Sequence, residues 1–157
     1  KLALYAGDGG AVTLDDAVSS VGDSAGMELD DAALAASEGD AAMLERALDR
    51  LSAEGENPVT VLRAAQRHVT RLHLAAVRVD HGDDEETALR SLRPPPFFKV
   101  ADRMKLQLRY WPPRRARAAL SLLLDAEIEV KKSGPPPEAV CRDALLRIAR
   151  RVAMDRR

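Results

Sequence analysis

Apolar positions along the chain recur at steps of three and four, and nowhere do they keep the period of two that a half-buried strand requires. The clearest series is Leu62, Ala65, Val69, Leu72, Ala76 and Val79, which predicts one helix of about six turns. Asn57-Pro58 in front of it reads as an N-cap followed by proline in the first turn, where a missing N–H costs nothing. The same punctuation predicts a helix capped by Asp40 and closed at Glu54-Gly55, and a short one near Asp84 to Ser91. Three more run from Phe97 to about Leu108, from Pro113 to Lys132, and from about Pro137 to Met154. The nine prolines stand only at 58, 94–96, 112–113 and 135–137, so none interrupts an apolar period. Upstream, Thr13-Leu14-Asp15-Asp16 predicts a short helix stopping near Gly22, Leu29 to Ser37 predicts another, and Lys1 to Ala6 reads as the end of a helix already under way. The expectation is an all-α bundle of about seven or eight helices.

Composition agrees with that class. Hydrophobic residues make up 46% of the 157, but aromatics only 3%, so the core must be built from Ala, Leu and Val, which suit helices better than sheets. The length allows one domain, or one domain plus a fragment of another. Cys141 is the only cysteine, which excludes an internal disulfide and cysteine-based zinc motifs and suits a reducing, cytoplasmic compartment. His68, His73 and His81 do not fall four apart, so no two imidazoles share a helix face in the manner of a metal site, and neither a metal nor another cofactor is expected. No apolar run is long enough to cross a bilayer. Lys1 in place of an initiator Met predicts a piece of a longer chain.

Net charge is −1, yet residues 1–57 hold 3 basic and 13 acidic residues while residues 58–157 hold 21 and 12. The two parts therefore carry −10 and +9, and the C-terminal part is suited to an anionic partner. On the helix starting at Pro113 the charges oppose the helix dipole: Arg114, Arg115 and Arg117 crowd the N-terminus, and Asp125, Glu127 and Glu129 lie toward the C-terminus. A phosphate or a partner carboxylate at that N-terminus would relieve the conflict; arginines swung into solvent would do so too. Arg63, Arg67, Arg71 and Arg78 on the long helix, and Arg142, Arg147, Arg150 and Arg151 on the last, are either phosphate-tracking stripes or solvated faces. Glu127 and Lys131 form an i, i+4 pair in the favourable order. Phe97 and Phe98 precede Lys99, and Tyr110 and Trp111 precede the arginines, so an aromatic beside a cation is available for stacking on a base. Phe97 and Trp111 are expected in the core, whereas Phe98 is open to either role. No nucleophile elbow, phosphate-binding GxxxxGK[ST] loop or acid-base pair at a useful spacing is present, and Cys141 falls on an apolar face with Leu145, Ile148 and Val152.

An ordered series of segments resembles the delta subunit of the bacterial DNA polymerase III clamp loader. It comprises Leu29-Asp30-Asp31-Ala32-Ala33-Leu34, Gly39-Asp40, Leu44, Leu48 and Leu51, Glu54-Gly55-Glu56-Asn57-Pro58, and Leu62-Arg63-Ala64-Ala65-Gln66-Arg67. Arg93-Pro94-Pro95-Pro96-Phe97-Phe98-Lys99 and Ala126-Glu127-Ile128-Glu129-Val130-Lys131 with Ser133-Gly134 continue it. The resemblance implies that residues 1–26 end an AAA+-like lid domain and residues 27–157 form the helical collar, the oligomerisation domain. It implies collar contacts to the other loader subunits during DNA replication, no catalysis by this part, and contact with the sliding clamp only through an N-terminal module outside this sequence. It also implies a contact with primer-template or single-stranded DNA, for which Phe98, Lys99, Arg114, Arg115 and Arg117 are the candidates, with a bacterial cytoplasmic setting. Gly134 and its prolines stand where the family carries a second aromatic. The alternative is a free-standing helical nucleic-acid-binding domain.

Overall fold

The computed structural model describes residues 14–157. Among them are seven helices and no strand: α1 (Leu14–Glu38), α2 (Ala41–Ala53), α3 (Pro58–Asp80), α4 (Glu85–Arg90), α5 (Phe98–Leu108), α6 (Pro113–Val130) and α7 (Pro137–Asp155). The protein is all-α. No described helix is long and apolar enough to cross a membrane. The expected helix end at Lys1 to Ala6 lies outside the described residues.

Caps account for most boundaries. The Asp40 carboxylate accepts from the Met43 N–H at 2.9 Å, the Asn57 side chain from Val59 N–H at 2.9 Å, and the Asp84 carboxylate from Thr87 N–H at 2.9 Å, each satisfying an N–H that has no partner within its helix. Gly39, Gly55 and Gly82 follow the ends of α1, α2 and α3 with φ of 75°, 75° and 105°, the left-handed conformation that closes a helix. The two short helices expected upstream are one: α1 runs without a break through Gly22 and Gly26. A glycine in a helix interior costs only about 1 kcal/mol relative to alanine and stops a helix only when its backbone turns left-handed, which Gly39 does.

The core forms around two helices. On α3, Leu62, Ala65, Val69, Leu72 and Ala76 are buried as their spacing predicts, and Val61, Ala64 and Ala75 widen the buried arc because α3 packs against α1, α4, α5, α6 and α7. The last turns of α1 are enclosed on every side: Ala32 to Ser37 are all buried, and all but Leu34 are small, which lets α2, α3 and α7 approach closely. Because α1 ends inside the protein, its final carbonyls need partners. Ala35 O accepts from Asp40 N–H at 3.0 Å and Ala36 O from Gly39 N–H at 3.3 Å. Ser37 O accepts from the indole Nε1–H of buried Trp111 at 2.7 Å, and Glu38 O accepts from the Arg156 guanidinium. All four orphan carbonyls are satisfied, two of them by side chains from far along the chain.

Candidate functional site

Residues Pro94 to Pro96 deliver the chain to the start of α5, where Phe97 is the N-cap residue and Phe98 the first helical one. Both rings stand in solvent, Phe97 85% and Phe98 74% exposed, and the Lys99 ammonium lies 5.9 Å from the centroid of the Phe98 ring. Phe97 thus departs from the core position expected of it. Its spacing to Val100, Met104 and Gln107 would put it on the packed face of α5 if it were helical, but its ψ of 149° is extended and turns the side chain off that face. Two adjacent exposed phenylalanines form an apolar surface suited to stacking.

The arginines at the start of α6 form a separate cluster. Phe98 opens α5 and the arginines follow its far end, so the length of that helix, about 15 Å, separates the two groups. Arg114 and Arg117 are exposed. Arg115 is half-buried and donates to Tyr110 O and to the Asp155 carboxylate of α7, so part of the clash with the helix dipole is relieved within the chain. Desolvation, followed by the charge of Arg151, holds the pKa of Arg115 below its ordinary value.

The basic stripe of α3 is largely consumed by internal partners. Arg63 donates to Glu127 from Nε and Nη2 at 3.1 and 2.9 Å, Arg71 to Pro94 O at 2.8 Å, and Arg78 to Asp83 at 2.6 Å, while Arg67 is exposed. On α7, Arg142 pairs with Asp49 of α2, Arg147 stands 3.8 Å from Asp143, and Arg150 and Arg151 are exposed. The free basic surface therefore gathers where the start of α6 meets the end of α7.

Two polar networks inside the bundle join residues far apart in the chain, and of their contacts only the Glu127–Lys131 pair was expected. Glu127, nearly buried on α6, receives Lys131 Nζ at 2.9 Å as well as Arg63, and Gln66 Nε2 at 2.9 Å. Lys131, Gln66 and Arg63 together hold its carboxyl at about 2. Only the Lys131 contact is local enough to be read from spacing. In the second network Arg103 grips Glu38 through Nε and Nη2 at 2.7 and 2.8 Å, and buried Gln107 donates to Glu38 at 3.1 Å while accepting from His68 Nε2 at 2.7 Å. Desolvation pushes His68 down to about 4.

That shift has a sign. Between its ordinary 6.5 and about 4 the unfolded chain takes up a proton at His68 and the folded chain does not, so this stability is complete above pH 6.5 and falls as pH drops through the window. The full loss is on the order of 3 kcal/mol. Urea midpoints at pH 7 and pH 4.5 should separate for the wild type and draw together in His68→Gln, and the His68 ring proton should titrate near 4 by NMR. A ring titrating near 6.5 would contradict the buried neutral state.

Cys141 is buried, and desolvation raises its thiol to about 12, which suits a packing residue better than a nucleophile. No group of three or more His, Cys, Asp or Glu side chains converges as a metal site among the described residues. Of the chemistry suggested by the sequence, the structure offers exposed phenylalanines at one end of α5, an arginine cluster beyond the other, and open helix flanks. Comparison with protein-family models, curated proteins and solved structures finds no match to this chain.

Proposed function

We propose that this chain is a non-catalytic helical assembly module, corresponding to the C-terminal part of a DNA polymerase III delta subunit and joining other clamp-loader subunits through collar-type contacts. The identity rests on the ordered residue series from Leu29 to Gly134. The observation that carries an assembly role is an unpartnered apolar flank: Leu124 and Ile128, one turn apart on α6, are 54% and 49% exposed, with Leu120 partly buried a turn before them. Large aliphatic side chains at i, i+4 on an outer helix gain by packing against a partner helix. The purified chain, mixed with collar domains of the other loader subunits, should co-elute in size-exclusion chromatography at tens of micromolar, and Leu124→Glu with Ile128→Glu should abolish it. Separate elution of folded pieces would reject the loader reading.

A second reading, a helical domain that binds nucleic acid by itself, is favoured by the exposed Phe97-Phe98-Lys99 group and by Arg114 and Arg117. Its signature is divided between two terms. Removing Arg114 and Arg117 should flatten the salt dependence of single-stranded DNA binding, and Phe98→Ala should weaken binding by about 1–3 kcal/mol with the salt slope kept. Anisotropy showing no binding at low salt would remove it.

A further inference from the structure

The hairpin of α6 and α7 has a second outer surface, distinct from the Leu124 flank. A groove of 530 Å³ runs between the two helices near their connecting turn, floored by Leu122, Ala139 and Val140 and bordered by Asp125, Glu129 and Asp143. A notch of 130 Å³ continues it toward the start of α6, floored by Ala118, Ala119 and Ile148 and bordered by Arg115, Arg147 and Arg151. Leu122 and Arg147 line both, so the two form one trough along the hairpin. The 18 residues of α6 give it a length of about 27 Å. Its floor is apolar throughout, and its charge changes sign halfway: acidic at the turn end, arginine-rich at the open end.

Arg151 has no ion pair among the described residues, and the Arg147–Asp143 pair is long and exposed, so the arginine end has unspent charge. At the other end Asp125 is exposed and Glu129 is paired only with Lys132 at 3.0 Å. A nucleic acid would match the arginine end and be repelled from the acidic end, and Trp111, in the floor of the notch, is too buried to stack on a base. A second copy of the hairpin would oppose groove to groove and leave the trough unfilled, whereas a single helix laid along it fills a groove between two helices as ridges fill grooves elsewhere in bundles.

We propose that the α6–α7 trough is a docking site for an amphipathic helix of a partner protein whose charge is also divided. Its acidic half lies over Arg147 and Arg151, since Arg115 beside them is already paired with Asp155, its basic half over Asp125, Glu129 and Asp143, and its apolar stripe on Leu122 and the alanines. This deepens the assembly reading, on which it rests, by naming a face and the chemistry of what covers it. The apolar stripe supplies contact area, and the divided charge sets direction and register.

The probe is a fluorescein-labelled 18-residue peptide with leucines at i, i+3, i+4 and i+7 spacing and its glutamates and lysines in opposite halves. The control has the same composition with the charges interleaved. Anisotropy should show the divided peptide binding the full chain at least tenfold more tightly. Arg147→Glu with Arg151→Glu, both on the exposed face of α7 and checked for intact helicity by circular dichroism, should cost the divided peptide tenfold or more and favour an all-lysine version instead. Equal affinities for the two peptides, no binding up to millimolar concentration, or indifference to the arginine reversals would overturn the proposal. Tighter binding of an 18-nucleotide single strand, or a concentration-dependent dimer broken by the same reversals, would assign the trough to those occupants instead. No loader subunit enters this experiment, so its failure is distinguishable from failure of the co-elution test.

Discussion

Trp111→Ala should destabilise the protein by about 4–5 kcal/mol, a large share of the roughly 5–15 kcal/mol that holds a typical domain together. Two terms add. The indole is wholly buried in the turn between α5 and α6, so truncation opens a cavity among α1, α6 and α7. Its Nε1–H also satisfies Ser37 O at 2.7 Å, and without it a buried carbonyl at the end of α1 has no donor, at a cost of about 1–3 kcal/mol. Trp111→Phe weights the terms differently, since it loses the whole donor but only part of the buried volume. Urea unfolding followed by far-ultraviolet circular dichroism should place Phe midway between wild type and Ala. A Phe variant as stable as wild type would mean that the hydrogen bond contributes nothing.

Gly39→Ala should cost several times as much as Gly55→Ala, although both glycines close a helix by the same device and share a φ of 75°. In each, the glycine N–H bonds the carbonyl three residues back, and the next N–H reaches the carbonyl five back: Gly39 to Ala36 and Asp40 to Ala35, Gly55 to Ser52 and Glu56 to Leu51. The left-handed backbone penalises any side chain by roughly 1–2 kcal/mol at both. They differ in what surrounds them. A Cβ on Gly55 would meet nothing within 4 Å, whereas one on Gly39 would lie 2.8 Å from Ala153 N and 3.1 Å from Ala149 O, the backbone of α7. Backbone cannot rotate away, so α1 and α7 must separate and loosen the packing of Ala36 and Ala149. The expected losses are about 1–2 kcal/mol for Gly55→Ala and about 3–5 kcal/mol for Gly39→Ala. Equal losses in thermal or urea unfolding would show that the helices part without cost.

Where the chain's local chemistry was sufficient, the sequence reading and the structure agree closely. Asp40 and Asn57-Pro58 cap the helices they were expected to cap, the short helix expected near Asp84 is there, and the stripe from Leu62 to Ala76 is buried, because a cap or a periodic face is decided by residues within one or two turns. Gly22 and Gly26 show the limit of the same rule. A glycine permits a helix end but does not enforce one, and α1 runs on through both at the modest cost a helical glycine carries. Phe97 shows it from the other side: its spacing fits the packed face of α5, but it stands at the N-cap, where the backbone is still extended and the side chain leaves that face.

The sequence by itself determined the helical class, the order and ends of six helices, the division of charge and the resemblance that motivates the assembly proposal. All of these are written in short-range spacing or composition. Only the tertiary structure decided which charges remain available to a partner. Arg63 and Glu127 are 64 residues apart, Arg103 and Glu38 are 65 apart, and Arg115 meets Asp155 across a hairpin, so no local pattern marks them as spent. The same holds for Trp111 and Arg156, which end α1 from 74 and 118 residues away, and for the trough, whose acidic and arginine-rich ends exist only because α6 and α7 run side by side in opposite directions. Pairing between distant residues depends on how helices pack, and packing is a property of the whole chain.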